Sequence, residues 1–292
     1  MNAKARLIFD SQCELGEGPI WHPGRQQLFF FDINEQTLYA VSEKGEVADS
    51  WLFNEYVAAA AIYDDETLVL ATESGLKGFQ IATGGIAPIV GIEADKPNTR
   101  SNDSRVHPSG AFWIGTMDKG AEEGAVGGVY HYHRGKLTTL KSNIRIPNAT
   151  CFSPDGRTAY WTDTPTKKIM KVATDPATGL PVGEWSVFAD VSDLPGAPDG
   201  AVVDSEGYLW NAKWGGNCVV RHAPDGSVDR IIDVSVSQVT CPAFGGKDLK
   251  TLFITTAAKT LSPEKRAEEK VAGGLFAIEV DVAGQPEAKI EL

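Results

Sequence analysis

The chain has 292 residues, with 27 Lys and Arg against 39 Asp and Glu, a net charge of −12. That surplus of acid excludes nucleic acid as the main partner, because phosphate binding needs a basic patch. A composition of 42% hydrophobic and 23% charged residues is that of an ordinary globular protein, with no apolar run long enough to span a membrane.

The segment MNAKARLIFDSQCELGEG lacks the apolar stretch of a secretion signal, which sets a cytoplasmic location as the expectation. ARLIFD, from Ala5, alternates like a strand but precedes the first repeat. Its expected role is to pair with a strand near the other terminus, such as GLFAIEVD from Gly274, and so hide open sheet edges. Cys13, Cys151, Cys218 and Cys241 are scattered, without a CxxC pair or metal-type spacing, and read as reduced, mostly buried thiols.

Six segments then repeat one pattern: an apolar run, a turn carrying Gly, Pro or Asp, and an aromatic-rich strand. They are GPIWHPGRQQLFFFDI from Gly18, AAAIYDDETLVLAT from Ala59, DSRVHPSGAFWIGT from Asp103, ATCFSPDGRTAYWTDT from Ala149, GAVVDSEGYLWNAK from Gly200 and CPAFGGKDLKTLFITT from Cys241. The residues just before the turn are Trp21, Ile62, Val106, Phe152, Val203 and Phe244, spaced by 41, 44, 46, 51 and 41 residues. A period of about 40–50 residues with room for four short strands is that of a β-propeller blade. The expected fold is all-β: one six-bladed propeller domain over residues 1–292, with a central metal site. SPEKRAEEKV, Ser262 to Val271, is the exception, a short surface helix inserted in the last blade with Ser as N-cap and Pro next. The aromatics Phe29 to Phe31, Phe112, Trp113, Tyr160 and Trp161 are expected to pack between blades.

The repeat register also selects site residues. Four positions before each anchor stand Glu17, Ala58, Asn102, Asn148, Asp199 and Thr240, which a propeller places around its axis. Any one of the acidic or amide residues, flanked by Pro or Gly, could be an ordinary turn former. Their shared register is what a turn does not require. Two carboxylates converging with amide oxygens are costly without a cation. Such hard oxygen ligands suit Ca²⁺, Mg²⁺, Mn²⁺ or, less selectively, Zn²⁺ or Fe²⁺. Three or four protein ligands leave room for water and substrate, as in a catalytic centre. Arg100 lies two residues before Asn102, on the same face of an extended chain, where it would suit an oxygen-rich or anionic substrate; a salt bridge to Asp103 is the competing reading. His22 and His107, in turns beside Pro, are expected to be exposed, and His131 and His133 to be a surface pair.

These motifs together resemble the SMP-30/gluconolactonase/regucalcin-like family, most nearly its bacterial xylono-, arabino- and gluconolactonases. The resemblance runs from Leu15-Gly16-Glu17-Gly18-Pro19-Ile20-Trp21 to Val280. It passes through Arg100-x-Asn102-Asp103, Phe112-Trp113-x-Gly115-Thr116-Met117, Pro147-Asn148, Phe152-Ser153-Pro154-Asp155-Gly156 and Pro198-Asp199-Gly200. It implies a six-bladed propeller with one divalent ion on its axis, held by Glu17, Asn148 and Asp199. Asp199 is also implied as general acid/base, and Arg100 and Asn102 as substrate contacts. The implied reaction is opening of an aldono-lactone to its aldonic acid. Rival readings are a promiscuous esterase or organophosphate hydrolase on the same centre, and a calcium- or protein-binding propeller without lactonase activity. The chain departs from the family at Ser104 and His107, where Gly and Asp are common. The segment from Asp118 to Glu123 leaves the family's acidic substrate contact ambiguous. A monomer is expected, since a propeller buries its core unaided.

Overall fold

A computed structural model describes residues 2–120 and 127–292. Six antiparallel sheets follow one another along the chain, each read outward from an innermost strand. These innermost strands are Gly16–His22, Val57–Ile62, Thr99–Val106, Pro147–Phe152, Ala197–Val203 and Val239–Gly245, and they define blades 1 to 6. Each touches the next around the ring and the sixth touches the first, which closes a six-bladed β-propeller.

The burial gradient follows from that ring. Innermost and second strands have a blade packed on both faces, so they are buried almost throughout rather than in alternation, whether apolar as in Val57–Ile62 or polar as in Thr99–Val106. Val57–Ile62 is buried at every position, whereas the rim strand Val47–Leu52 has no buried residue. All six anchors before the turns are buried. Aromatic rings fill the seams between blades: Trp21 stacks on Phe253 with centroids 5.7 Å apart, and Trp113 meets Phe152 edge-on at 5.3 Å.

The chain closes the ring by sharing a blade between its ends. Arg6–Phe9 is the fourth strand of blade 6 and pairs antiparallel with Leu275–Glu279, as the alternation at Ala5 predicts. Ala3–Lys4 additionally pairs in parallel with the rim strand of blade 5. The inserted helix spans Pro263–Glu268, shorter than expected, with the Ser262 side chain accepting from the Lys265 N–H. Past Lys270 the backbone turns back toward Leu275–Glu279. All four cysteines are free and buried.

Residues 280–292, which the repeat pattern does not reach, form a strap. Its Gln285 Nε2 donates to the carbonyls of Phe152 and Val203, the Ile290 N–H donates to Ile62, and Arg105 pairs with Glu287 at 2.6 Å. These contacts all lie at the C-terminal ends of the innermost strands. The strap therefore closes one end of the axis and leaves the other for the cavity described below.

The histidines differ from expectation. His22 and His107 are buried, because each turn is covered by the next blade. His22 Nε2 lies 3.1 Å from the Asp64 carbonyl and His107 Nε2 lies 2.9 Å from that of Gly156. His131 is also buried, its Nε2 2.8 Å from the Thr178 carbonyl, while His133 is half-buried beside Glu291. These rings couple elements that sequence spacing does not bring together.

Candidate active site

Every innermost strand breaks its pairing register at or beside the position that the repeat selects. The irregularities fall between Glu17 and Ile20, Val57 and Ala59, Ser101 and Ser104, Asn148 and Cys151, Pro198 and Ala201, and Val239 and Cys241. A bulge re-aims a side chain out of the alternating pattern, and here it turns one residue per blade toward the axis. Gly18 and Ala149, directly after Glu17 and Asn148, take φ values of 56° and 55°.

Four of the six selected side chains, Glu17, Asn102, Asn148 and Asp199, line one axial cavity of about 220 Å³, and Arg100 lines it with them. Ala58 and Thr240 complete the ring without lining the cavity. Thr240 instead donates to the Gly16 carbonyl at 2.6 Å, tying blade 6 to blade 1. Ile146, Met117, Leu15 and Trp214 supply apolar wall. A polar floor with an apolar wall is the usual build of a small-molecule site.

The polar floor is a connected network. Arg100 Nη1 donates to Asn102 Oδ1 at 2.8 Å and to the Ser101 carbonyl at 2.7 Å. Asn102 Nδ2 donates to Asn148 Oδ1 and to the Pro147 carbonyl, both at 3.0 Å. Asn148 Nδ2 donates to Thr164 Oγ1 at 2.9 Å, and that hydroxyl donates to the Pro198 carbonyl at 2.9 Å. Amide orientation follows from this chain of partners. Arg100 does not bridge to Asp103. The Asp103 carboxylate instead accepts the Thr150 N–H at 2.6 Å.

Charge is the unresolved element of the site. Glu17 receives one hydrogen bond, from the Gly18 N–H at 3.0 Å, and no side-chain donor bonds Asp199 among the described residues. Burial, and then the Asp103 charge, push the Glu17 carboxyl up to about 8. Burial, and then Glu17, raise Asp199 well above the usual carboxylate range. Burial lowers Arg100 to about 10, against the opposing pull of Glu17. Among the described residues no three His, Cys, Asp or Glu side chains gather as a ready metal cluster. The donor set is instead two carboxylates and an amide oxygen. Two buried carboxylates that repel one another, beside that oxygen, are what a hard divalent cation would relieve, so the residues fit the ion.

Some residues of the site carry no repeat signal. Asn211, fully buried on the second strand of blade 5, donates from Nδ2 to the Asp199 carbonyl at 2.9 Å and to that of Gly200 at 3.2 Å. Lys259 and Thr260 enter the cavity from the insertion in blade 6. The ambiguous acidic segment 118–123 runs into residues 121–126, which lie outside the described residues, so Ala121, Glu122 and Glu123 have no place in this geometry.

Fold and site together define a six-bladed propeller with a polar, oxygen-rich cavity on its axis. The profile of the SMP-30/gluconolactonase/LRE-like region matches residues 15–258, and the chain belongs to that family. It is 35% identical to an L-arabinolactonase of Azospirillum brasilense, over 98% of this chain and 95% of that protein. It is 32% identical to a pentonolactonase of Haloferax volcanii, over 98% and 97%. Among solved structures it matches a calcium-binding protein, regucalcin, from Agrobacterium tumefaciens with a TM-score of 0.96, 37% identity and full coverage of both chains.

Proposed function

We propose that this chain is an enzyme that hydrolyses sugar lactones, opening an aldono-lactone to its aldonic acid. The observation that carries the reading is the convergence of Glu17, Asn148, Asp199, Asn102 and Arg100 on one axial cavity. Relatives named as lactonases along nearly the full chain support it.

In this reading Glu17, Asn148 and Asp199 hold one divalent ion, Ca²⁺, Mg²⁺, Mn²⁺, Zn²⁺ or Fe²⁺. Bound there, it would supply a Lewis acid for the lactone carbonyl. Asp199 accepts a proton from the water that attacks the carbonyl carbon. As the bond from that carbon to the ring oxygen breaks, Asp199 returns the proton to the ring oxygen, which leaves as a hydroxyl of the open acid. Arg100 and Asn102 bind sugar oxygens, and their mutual hydrogen bond orients both before substrate arrives. The apolar wall takes the C–H faces of the ring and limits water.

The test is a pH-indicator assay across pentono- and hexono-lactones with each ion. Chelation should abolish turnover, and a divalent ion should restore it. Asp199→Asn should lower kcat by about 100-fold or more; full activity in that variant would end the acid/base role. The similarity to a calcium-binding regucalcin favours one second reading, a calcium-binding propeller. Tight ion binding with no lactone opened would select it.

A further inference from the structure

The cavity contains a cation that the lactone-opening scheme does not use. Lys259 lines it from the segment between the second strand of blade 6 and the inserted helix. That segment is held by backbone bonds to the start of the chain. The Ala258 N–H donates to the Cys13 carbonyl at 3.1 Å, and the Lys259 N–H donates to the Glu14 backbone carbonyl at 2.9 Å. The next residue, Thr260, sits at φ 66°. A β-branched residue in left-handed backbone is costly and persists where the surroundings impose it. Here Gln238 Nε2 grips the Thr260 hydroxyl at 3.1 Å. The backbone is thus strained directly beside Lys259, a residue that lines the cavity.

No carboxylate pairs with the Lys259 ammonium among the described residues. Glu14, the nearby acid, is engaged by Arg266. Burial, and then the Arg100 charge, lower the Lys259 pKa, so the ammonium sits in a setting that disfavours its charge. Among the described residues Arg100 bonds the protein through Nη1, and its other guanidinium N–H groups have no protein partner there. Among the described residues the charged ones lining the cavity are Glu17, Asp199, Arg100 and Lys259. A divalent ion on the two carboxylates would match their charge and leave Arg100 and Lys259 as the two cations of the described lining, with no lining carboxylate left to face them. A neutral sugar ring calls for hydroxyl partners rather than a second uncompensated cation.

We propose that the preferred substrate is an aldono-lactone bearing an anionic group away from its ring carbonyl, a carboxylate, phosphate or sulfonate, and that Lys259 binds that group. The proposal rests on the lactonase reading and adds the substrate class.

Its test compares kcat/KM for glucono-lactone with that for its 6-carboxylate, 6-phosphate and 6-sulfonate counterparts; the three arms distinguish the anion. Wild type should favour at least one charged lactone by about tenfold or more, the size expected of a charge-assisted hydrogen bond. Lys259→Gln should erase most of that preference through KM, and Lys259→Arg should restore much of it. Added salt should narrow the gap. A neutral lactone equal to or better than all three in wild type, or an unchanged ratio in Lys259→Gln, would overturn the proposal. Calorimetric titration of the ion-loaded protein with gluconate and gluconate 6-phosphate needs no turnover. Lys259-dependent binding of the phosphate without any lactone opening would remove the lactonase reading and keep an anion site. Loss of that discrimination would remove the site itself.

Discussion

The Asn211 side-chain amide donates to the carbonyl of Asp199 at 2.9 Å, from the strand next to the one that carries Asp199. It also reaches the Gly200 carbonyl at 3.2 Å, so one buried amide spans both residues in the gap of the broken register. The bulge alone would leave those carbonyls without a ladder partner. Asn211 supplies one and so sets the direction in which the Asp199 carboxylate points.

Asn211→Ala should therefore lower kcat by about tenfold or more while moving KM less, since it displaces the acid/base rather than the sugar contacts. Stability should fall by about 1–3 kcal/mol from the two unsatisfied carbonyls. Kinetics together with urea unfolding check this. A stability loss with unchanged kcat would make Asn211 a structural residue only.

Metal removal should reveal the repulsion between Glu17 and Asp199. Saturating ion at 100 times its Kd stabilises a folded protein by about 2.7 kcal/mol, so chelation should lower the wild-type melting temperature. Glu17→Gln should lose most of that response. In chelator it should be as stable as wild type or more so, because the amide is spared the proton uptake that burial forces on the Glu17 carboxyl when no ion is bound. Thermal melts of both proteins with and without ion decide the point.

Gly18 follows Glu17 at φ 56°, and a Cβ built on it would lie 2.3 Å from the Ala58 carbonyl oxygen of blade 2. Gly18→Ala should cost about 2 kcal/mol or more, through both left-handed strain and displacement of a neighbouring backbone, and should depress activity by moving Glu17. Gly207, at φ 84° with nothing within 4 Å of its Cβ position, is the control. Gly207→Ala should cost only about 1 kcal/mol and leave activity intact. Equal losses in the two variants would rule out the inter-blade clash.

Burial pushes His222 down to about 4 from its ordinary 6.5. Between those values the unfolded chain binds a proton that the folded state refuses, so stability is lost as pH falls from about 6.5 toward 4. The slope is about 1.4 kcal/mol per pH unit. His222→Gln removes the titration and can still donate to the Gly226 carbonyl, the present partner of Nδ1. From pH 7.5 to pH 5, wild type should lose about 2 kcal/mol relative to that variant by urea unfolding. A pH-independent difference would refute the effect of burial.

The blades and the axial residues were legible because a propeller writes its geometry as a period. Trp21, Ile62, Val106, Phe152, Val203 and Phe244 recur at blade spacing, and the positions four residues earlier include four cavity-lining side chains. The pairing of Arg6–Phe9 with Leu275–Glu279 was also readable, since a closed ring requires its ends to meet. Other parts had no such record. Asn211 looks like any strand residue until the neighbouring bulge frees two carbonyls. Lys259 sits in an insertion that exists in one blade only. His22 and His107 look exposed beside their prolines, and only the packing of the next blade buries them. The strap over residues 280–292 has no repeat to be compared with. Local pattern and periodicity thus determined the six units and the ring of oxygen ligands. Contacts between residues far apart in the chain decided which side chains position that ring, which cation enters it and which end of the axis stays open. Such contacts depend on how blades pack against one another, and no single repeat encodes them.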